Sequence, residues 1–404
     1  MKKTLVLFGA LFLVSCTSSS SNNDNTLLLV SFDGFRADYL TKTDTPNLDY
    51  LVENGVTSEG LIPVYPSVTF ANYYAIATGL YPENNGIISN NMYDAEIGER
   101  FSLGNREQVE NPAWYKGEPI WNTVEKSGKK AGTMFWVGSE TKIQDMRPSH
   151  WKTYDGDFPD SARVDTVVSW ITQEPSKKID FATLYFSFVD SQGHRFGPDS
   201  QEVIDAIKKA DDLIGYLIQR LRENNLWDST NLLVISDHGM TELSRERIIV
   251  LDDYINTEDV DIISGSPAVM FNAKEGKADA VYSSLKKNEK NFKVYKKEDI
   301  PERFHLKKSD RMPEFLIVVD EGYTLNSRKY FDARPLYPSG GAHGYDNMNE
   351  EMWALFIAKG PAFKKGYKAK AFKNIHLYTL MAKILNLEPA ENDGNLVEVS
   401  DILN

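Results

Sequence analysis

Cysteine is nearly absent from this chain: one residue, Cys16, in 404. No intrachain disulfide can form, and a thiolate metal site is closed to the fold, so any metal must be held by His and carboxylates. Long apolar runs are missing too. The stretch from Leu5 to Val14 falls short of the ~20 residues that a permanent membrane helix needs. Positive charge is in deficit, with 45 Lys plus Arg against 58 Asp plus Glu and a formal charge of −13. So acidic a chain is a poor partner for phosphate backbones, which excludes sequence-independent nucleic-acid binding. Internal repeats are absent as well.

What the chain does have begins at its first residues. Lys2 and Lys3 precede the Leu5–Val14 run, and Leu13-Val14-Ser15-Cys16 closes it. A basic start, a short apolar stretch and a small residue before the cut read as a secretory signal over residues 1–15. The place of Cys16 after Leu-Val-Ser resembles the bacterial lipobox. Cys16 is therefore expected to be the lipidated first residue of an exported lipoprotein anchored to the cell envelope. Residues 16–25, rich in Ser and Asn, read as a flexible tether. An ordinary signal with a chance cysteine is the alternative.

Beyond the tether, apolar runs alternate with helical patterns. Leu27–Phe32, Gly132–Val137, Phe181–Val189, Leu232–Ser236 and Trp353–Ala358 read as buried strands. Thr45-Pro46 opens a helix with Pro at its first position, and Pro119–Ser127 and Ser161–Thr172 give two more. The longest, Asp199–Asn225, repeats Val203, Ile207, Ala210, Ile214, Leu217, Ile218 and Leu221 at helical spacing. Strands alternating with helices predict an α/β fold, a mostly parallel central sheet with helices on both faces. Residues 245–334 are less regular and richer in Lys and Glu. They read as a smaller inserted cap within one domain spanning 26–404.

Three strands run into possible metal ligands. Leu27–Phe32 leads to Asp33-Gly34, Phe181–Val189 to Asp190 with His194 four residues on, and Leu232–Ser236 to Asp237-His238-Gly239. His343 lies in a glycine-rich loop, Gly340-Gly341-Ala342-His343-Gly344, before the Trp353–Ala358 run. Loops beyond the carboxyl ends of strands converge in open α/β sheets. Six Asp and His ligands make two sites of three, and paired metals about 4 Å apart clamp both oxygens of an in-line displacement. Each piece has a plain alternative: Asp-Gly is a common turn, and Asp190 with His194 could be a surface pair. His150, His305 and His376 lack such company and read as structural or surface residues.

The segment Tyr65-Pro66-Ser67-Val68-Thr69-Phe70-Ala71-Asn72 precedes a helix expected from Thr69 to Thr78, ended by Gly79. A hydroxyl at a helix start sits in a positive field that favours a phosphoryl oxygen. Thr69 is the candidate nucleophile if a metal lowers its pKa. The alternative is that Ser67 or Thr69 is only an N-cap.

The ordered set Asp33, Thr69, Asn90, Asp190, His194, Asp237, His238, His343 resembles a bacterial member of the nucleotide pyrophosphatase/phosphodiesterase family, within the alkaline phosphatase superfamily. The match runs from about Leu27 to the C-terminus. The resemblance implies an alkaline phosphatase-like fold and two zinc ions. One is held by Asp33, Asp237 and His238 and activates Thr69, itself a ligand; the other is held by Asp190, His194 and His343 and activates the hydrolytic water. It also implies that Asn90 donates to a non-bridging phosphate oxygen and that a threonyl-phosphate intermediate forms. A neutral donor there suits a singly charged diester, and the sulfatase Cys/Ser-x-Pro-x-Arg motif is lacking.

In the family an aromatic slot takes the nucleotide base. Phe70 matches one wall and Tyr154 the other, while Phe135-Trp136-Val137-Gly138-Ser139-Glu140 resembles the base-contacting segment, with Glu140 where Asp is usual. The expected partner is thus a small phosphodiester, nucleotides favoured. Four alternatives stay open: a lysophospholipid or glycerophosphocholine diesterase using Glu140 or Tyr154 for choline, a phosphomonoesterase, a phosphonate hydrolase, and a non-catalytic surface lipoprotein that binds nucleotides or glycans.

Overall fold

The computed structural model describes residues 26–174 and 176–404. The leader over 1–15, the lipidation at Cys16 and the tether over 16–25 lie outside them. No helix among the described residues is long and apolar enough to cross a membrane.

The central strand Thr26–Phe32 is buried along its whole length, as a near-continuous apolar run must be when both faces of a sheet are covered. Its side chains alternate between two cores. Leu27 and Leu29 join one with Tyr73, Trp121 and Phe356; Leu28, Val30 and Phe32 join the other with Ile207, Ile214 and Leu217. Those last residues come from the helix Gln201–Glu223, whose start is capped by Ser200 accepting from Val203 N–H.

The sheet has eight strands in the order Tyr367–Ala369, Val56–Ser58, Phe356–Lys359, Thr230–Ile235, Thr26–Phe32, Phe181–Phe186, Ala131–Met134, His150–Lys152. Thr26–Phe32 pairs in parallel with both neighbours, and Ala131–Met134 is parallel to both of its own. Phe356–Lys359 is antiparallel to Thr230–Ile235 and to Val56–Ser58. The mostly parallel α/β architecture is therefore present, with one reversed strand.

Three differences from the sequence reading have physical causes. The strand expected to reach Val189 stops at Phe186, and Asp190 and His194 lie on the helix Phe188–Phe196. Phe188 and Val189 are apolar because they pack as the inner side of that helix, a run that periodicity cannot tell from strand. The expected strand from Trp353 begins only at Phe356. Strands of three residues, such as Val56–Ser58 and Tyr367–Ala369, carry too little pattern to be read.

Residues 245–334 are more regular than expected. They hold a four-stranded antiparallel sheet ordered Val260–Ser264, Ala268–Ala273, Phe315–Val319, Phe292–Lys296, covered by the helix Ala278–Lys287. Val269, Phe271, Leu285, Val294 and Ile317 form a separate apolar cluster there. The opposite side of the sheet's two central strands is apolar as well, with Ala268, Met270 and Leu316 buried in the main core, so these strands show no alternation for a sequence reading to find.

Candidate metal centre and substrate cleft

Thr26–Phe32 and Thr230–Ile235 run side by side in register, Ser31 beside Ile235, so Asp33 and Asp237 emerge together at one edge. The Phe188–Phe196 helix brings in Asp190, whose N–H donates to Asp33 C=O at 2.9 Å. That approach requires glycine beside Asp33: Gly34 has φ +69°, and a Cβ there would lie 2.9 Å from Asp190 Cα. Asp190 and His194, four apart, share one helix face. Gly340 makes the corresponding close pass, since a Cβ on it would meet His194 C=O at 2.1 Å. This pass carries the chain past His194 to His343.

The six expected ligands fall into two groups, Asp33/Asp237/His238 and Asp190/His194/His343, with the ligand atoms of each group within 4.8 Å of one another. Each imidazole is held by a backbone carbonyl at Nδ1: His194 by Gly341 at 3.0 Å, His238 by Gly239 at 2.9 Å, His343 by Ser67 at 2.8 Å. A carbonyl only accepts, so Nδ1 carries a proton and Nε2 is the ring nitrogen that each histidine turns into the site.

Those Nε2 atoms face one another and the carboxylates. His343 Nε2 lies 3.1 Å from His194 Nε2, and His238 Nε2 lies 3.0 Å from Asp237 Oδ2 and 3.6 Å from Asp33 Oδ1. Asp33 Oδ1, Asp190 Oδ1 and Asp237 Oδ2 are buried without a hydrogen-bond donor. The second oxygen of Asp33 accepts from Tyr185 O–H at 2.7 Å. That of Asp237 accepts from Gly34 N–H and Ser236 O–H, both at 3.2 Å. Burial, with the neighbouring Asp237 and Asp190 charges, raises the Asp33 carboxyl well above the usual range. Burial raises Asp190, and burial with the His238 and His194 rings drives His343 well down. Acceptors aimed at one another and left without donors are the arrangement that divalent cations resolve. The residues fit two metal ions of mixed His/carboxylate ligation.

Thr69 opens the helix Thr69–Thr78, closed by Gly79 at φ +67°. The capping alternative does not hold here. Val68 is the N-cap and no side chain caps the helix. Ser67 O–H instead donates to Tyr345 C=O at 2.9 Å. Thr69 Oγ1 lies 3.3 Å from His238 Nε2, beside the first ligand group. Asn90 Oδ1 accepts from Phe70 N–H at 2.9 Å, which fixes the amide orientation and leaves the NH₂ as its donor face.

A cavity of about 240 Å³ runs from Asp33, Thr69 and Asp190 along Phe70, Trp136, Glu140 and Tyr154. Every substrate-contact residue expected from sequence except Asn90 lines it. Tyr154 is 40% exposed and meets Phe135 edge-on at 5.3 Å. Trp136 is mostly core: it is buried, and its indole N–H donates to Tyr73 C=O at 3.1 Å. Glu140 is ion-paired to Arg106, which also pairs with Glu110 at 2.8 Å. Sequence reasoning missed Tyr73, Tyr185 and Arg106 as lining residues. Tyr185 was hidden in a strand run, and Arg106 starts a four-residue helix, Arg106–Val109, with no periodicity to mark its inner side.

The other histidines stand apart from the site. His150 stacks on Trp170 at 5.4 Å, His305 on Tyr81 at 3.5 Å, and His376 Nδ1 accepts from Asn395 N–H at 3.0 Å.

Comparison with known proteins agrees with this geometry. The family model described as "Type I phosphodiesterase / nucleotide pyrophosphatase" matches residues 27–346. The human ectonucleotide pyrophosphatase/phosphodiesterase family member 5 is 37% identical over 391 residues, covering 97% of this chain and 80% of that protein. The Naja atra venom phosphodiesterase is 38% identical over 405 residues, 96% of this chain but only 48% of its own length. The solved structure of murine member 5, as an inactive threonine-to-alanine variant in complex with AMP, superposes with a TM-score of 0.89 at 37% identity. It covers 94% of this chain and 100% of that one. The chain belongs to the type I phosphodiesterase/nucleotide pyrophosphatase family.

Proposed function

We propose that this hydrolase is a two-zinc phosphodiesterase that cleaves nucleotide phosphodiester or pyrophosphate bonds through a threonyl-phosphate intermediate on Thr69. The observation that carries the reading is the placement of Thr69 Oγ1, 3.3 Å from His238 Nε2, at the mouth of a cavity walled by Phe70 and Tyr154. Asp33, Asp237 and His238 would hold one ion and Asp190, His194 and His343 the other. Zinc when bound supplies Lewis acidity, lowering the pKa of a coordinated hydroxyl or water and neutralising developing negative charge.

The remaining steps belong to the chain's own groups. Phe70 and Tyr154 hold the base, with stacking worth roughly 1–3 kcal/mol. The Thr69 oxygen attacks phosphorus, the leaving alcohol or phosphate departs, and water then cleaves the phosphothreonine and restores the hydroxyl. The Asn90 NH₂ and the Thr69 backbone N–H donate to the equatorial oxygen as its charge grows.

The state of Glu140 favours nucleotides over choline esters. A quaternary ammonium beside aromatic rings is held best with a free carboxylate at hand, and Glu140 is already neutralised by Arg106. A monoester needs extra positive charge near the phosphate, and the cation lining the cavity, Arg106, is engaged with Glu140 and Glu110. The AMP held by the murine relative is consistent with the nucleotide reading. The Leu13-Val14-Ser15-Cys16 pattern supports export and a lipid anchor in a bacterial envelope.

Steady-state hydrolysis of p-nitrophenyl thymidine 5′-monophosphate, p-nitrophenyl phosphorylcholine and p-nitrophenyl phosphate by the zinc-loaded protein tests the proposal. The nucleotide ester should be cleaved fastest. Faster cleavage of either other ester would overturn the substrate assignment.

A further inference from the structure

Tyr185 lies on the strand Phe181–Phe186, in register with Ser31 of the central strand. Same-register residues of a parallel pair share a face, and on that face Ser31 Oγ and Tyr73 Oη lie 2.7 Å apart. The Tyr185 ring packs edge-on against Tyr73 at 5.3 Å and against Tyr154 at 6.1 Å. A phenylalanine would fill that space equally well. Among the described residues the hydroxyl has one hydrogen-bond partner: it donates to Asp33 Oδ2 at 2.7 Å.

That bond constrains how Asp33 can serve. With Oδ2 engaged, the carboxylate presents only Oδ1, which is buried, lacks a donor and lies 3.6 Å from His238 Nε2. Without the phenol, the carboxylate could rotate about its terminal bond and offer both oxygens. The distance from Oδ1 to the group around Thr69 would no longer be fixed. Outer partners of metal ligands typically change affinity by about 10–100-fold when removed.

We infer that Tyr185 is a positioning residue: its hydroxyl fixes Asp33 as a one-oxygen ligand, while its ring backs the aromatic cleft. The inference rests on the metal-site reading above but not on the identity of the substrate. The same side chain would thus tie the cleft that seats the base to the ligand group that orients Thr69.

The test is Tyr185→Phe, which keeps the ring. Zinc titration by calorimetry of the metal-stripped protein should show one of two binding steps weakened about 10–100-fold. Asp33→Asn, which should lose that same step, identifies it. Turnover of the nucleotide ester should show a lower kcat at unchanged KM, because the cleft wall is intact. Tyr154→Phe, removing the exposed hydroxyl of the same cleft, should leave both zinc steps unchanged. Wild-type zinc affinity and wild-type kcat in Tyr185→Phe would overturn the assignment. If wild-type protein cleaves no diester, the proposed function fails, and the zinc step still decides the role of Tyr185.

Discussion

The Nε2 atoms of His194 and His343 lie 3.1 Å apart, while both Nδ1 atoms are committed to backbone carbonyls. Two ring nitrogens turned to one another at this distance leave a position that a cation would fill. Beside it Asp190 Oδ1 is buried without a donor, and in the other ligand group Asp33 Oδ1 and Asp237 Oδ2 are likewise without one. Removal of the metal should therefore cost stability as well as activity. A ligand present at a thousandfold its Kd stabilises the native state by about 4 kcal/mol. Differential scanning calorimetry should show a lower Tm in excess chelator and recovery on adding zinc. An unchanged Tm would count against both ligand groups.

Asn90 gives a prediction that separates its two ends. Its Oδ1 holds Phe70 N–H, and only its NH₂ is left to donate. Asn90→Asp keeps an acceptor for Phe70 and replaces the donor by a second oxygen. Loss of one such donor typically lowers kcat by about 10²–10³. The nucleotide-ester kcat of Asn90→Asp should fall in that range with KM little changed, and a variant within twofold of wild type would remove Asn90 from the reaction.

The Arg106–Glu140 pair decides between head groups. Arg106→Ala frees the Glu140 carboxylate at the cleft wall. The KM for the nucleotide ester should rise roughly tenfold, equivalent to about 1.4 kcal/mol, and the phosphorylcholine ester should bind better. Parallel KM measurements check this; equal changes for both esters would show that the pair does not discriminate.

A pH-sensitive contact joins Glu321 to Glu351 and Arg36. Burial and the nearby Glu351 carboxylate raise Glu321 from 4.5 to about 7, against partial relief from Arg36 and Arg247. The folded protein then holds a proton that the unfolded chain releases at lower pH. Stability is therefore lost as pH rises from 4.5 through about 7. Glu321→Gln should raise Tm relative to wild type above pH 7, with the difference vanishing below pH 4.5. A constant difference across that window would contradict the assignment.

Much of this architecture is legible in the sequence because its signals are local. Thr26–Phe32 is apolar throughout and buried throughout, and Gly79 ends the Thr69–Thr78 helix at a positive φ. The ligands are legible because Asp33 directly follows the central strand and Asp237 comes two residues after the strand Thr230–Ile235. What escaped depends on contacts between distant residues. Asp190 sits on a helix, not at a strand end, because Phe188 and Val189 face a core. Arg106 reaches Glu140 across 34 positions, and Tyr185 reaches Asp33 across 152. No local pattern encodes either pairing. The sheet of residues 260–319 was obscured because its central strands are buried on both faces, Val269, Phe271 and Ile317 in one cluster and Ala268, Met270 and Leu316 in the other, which leaves no alternation to read.

Turnover by Thr69→Ala tests the central claim most directly. Its zinc content should stay near that of wild type, since the six Asp and His ligands remain, while hydrolysis of p-nitrophenyl thymidine 5′-monophosphate should be abolished. Zinc-loaded Thr69→Ala that still cleaves the ester at an appreciable fraction of the wild-type rate would contradict a threonine nucleophile.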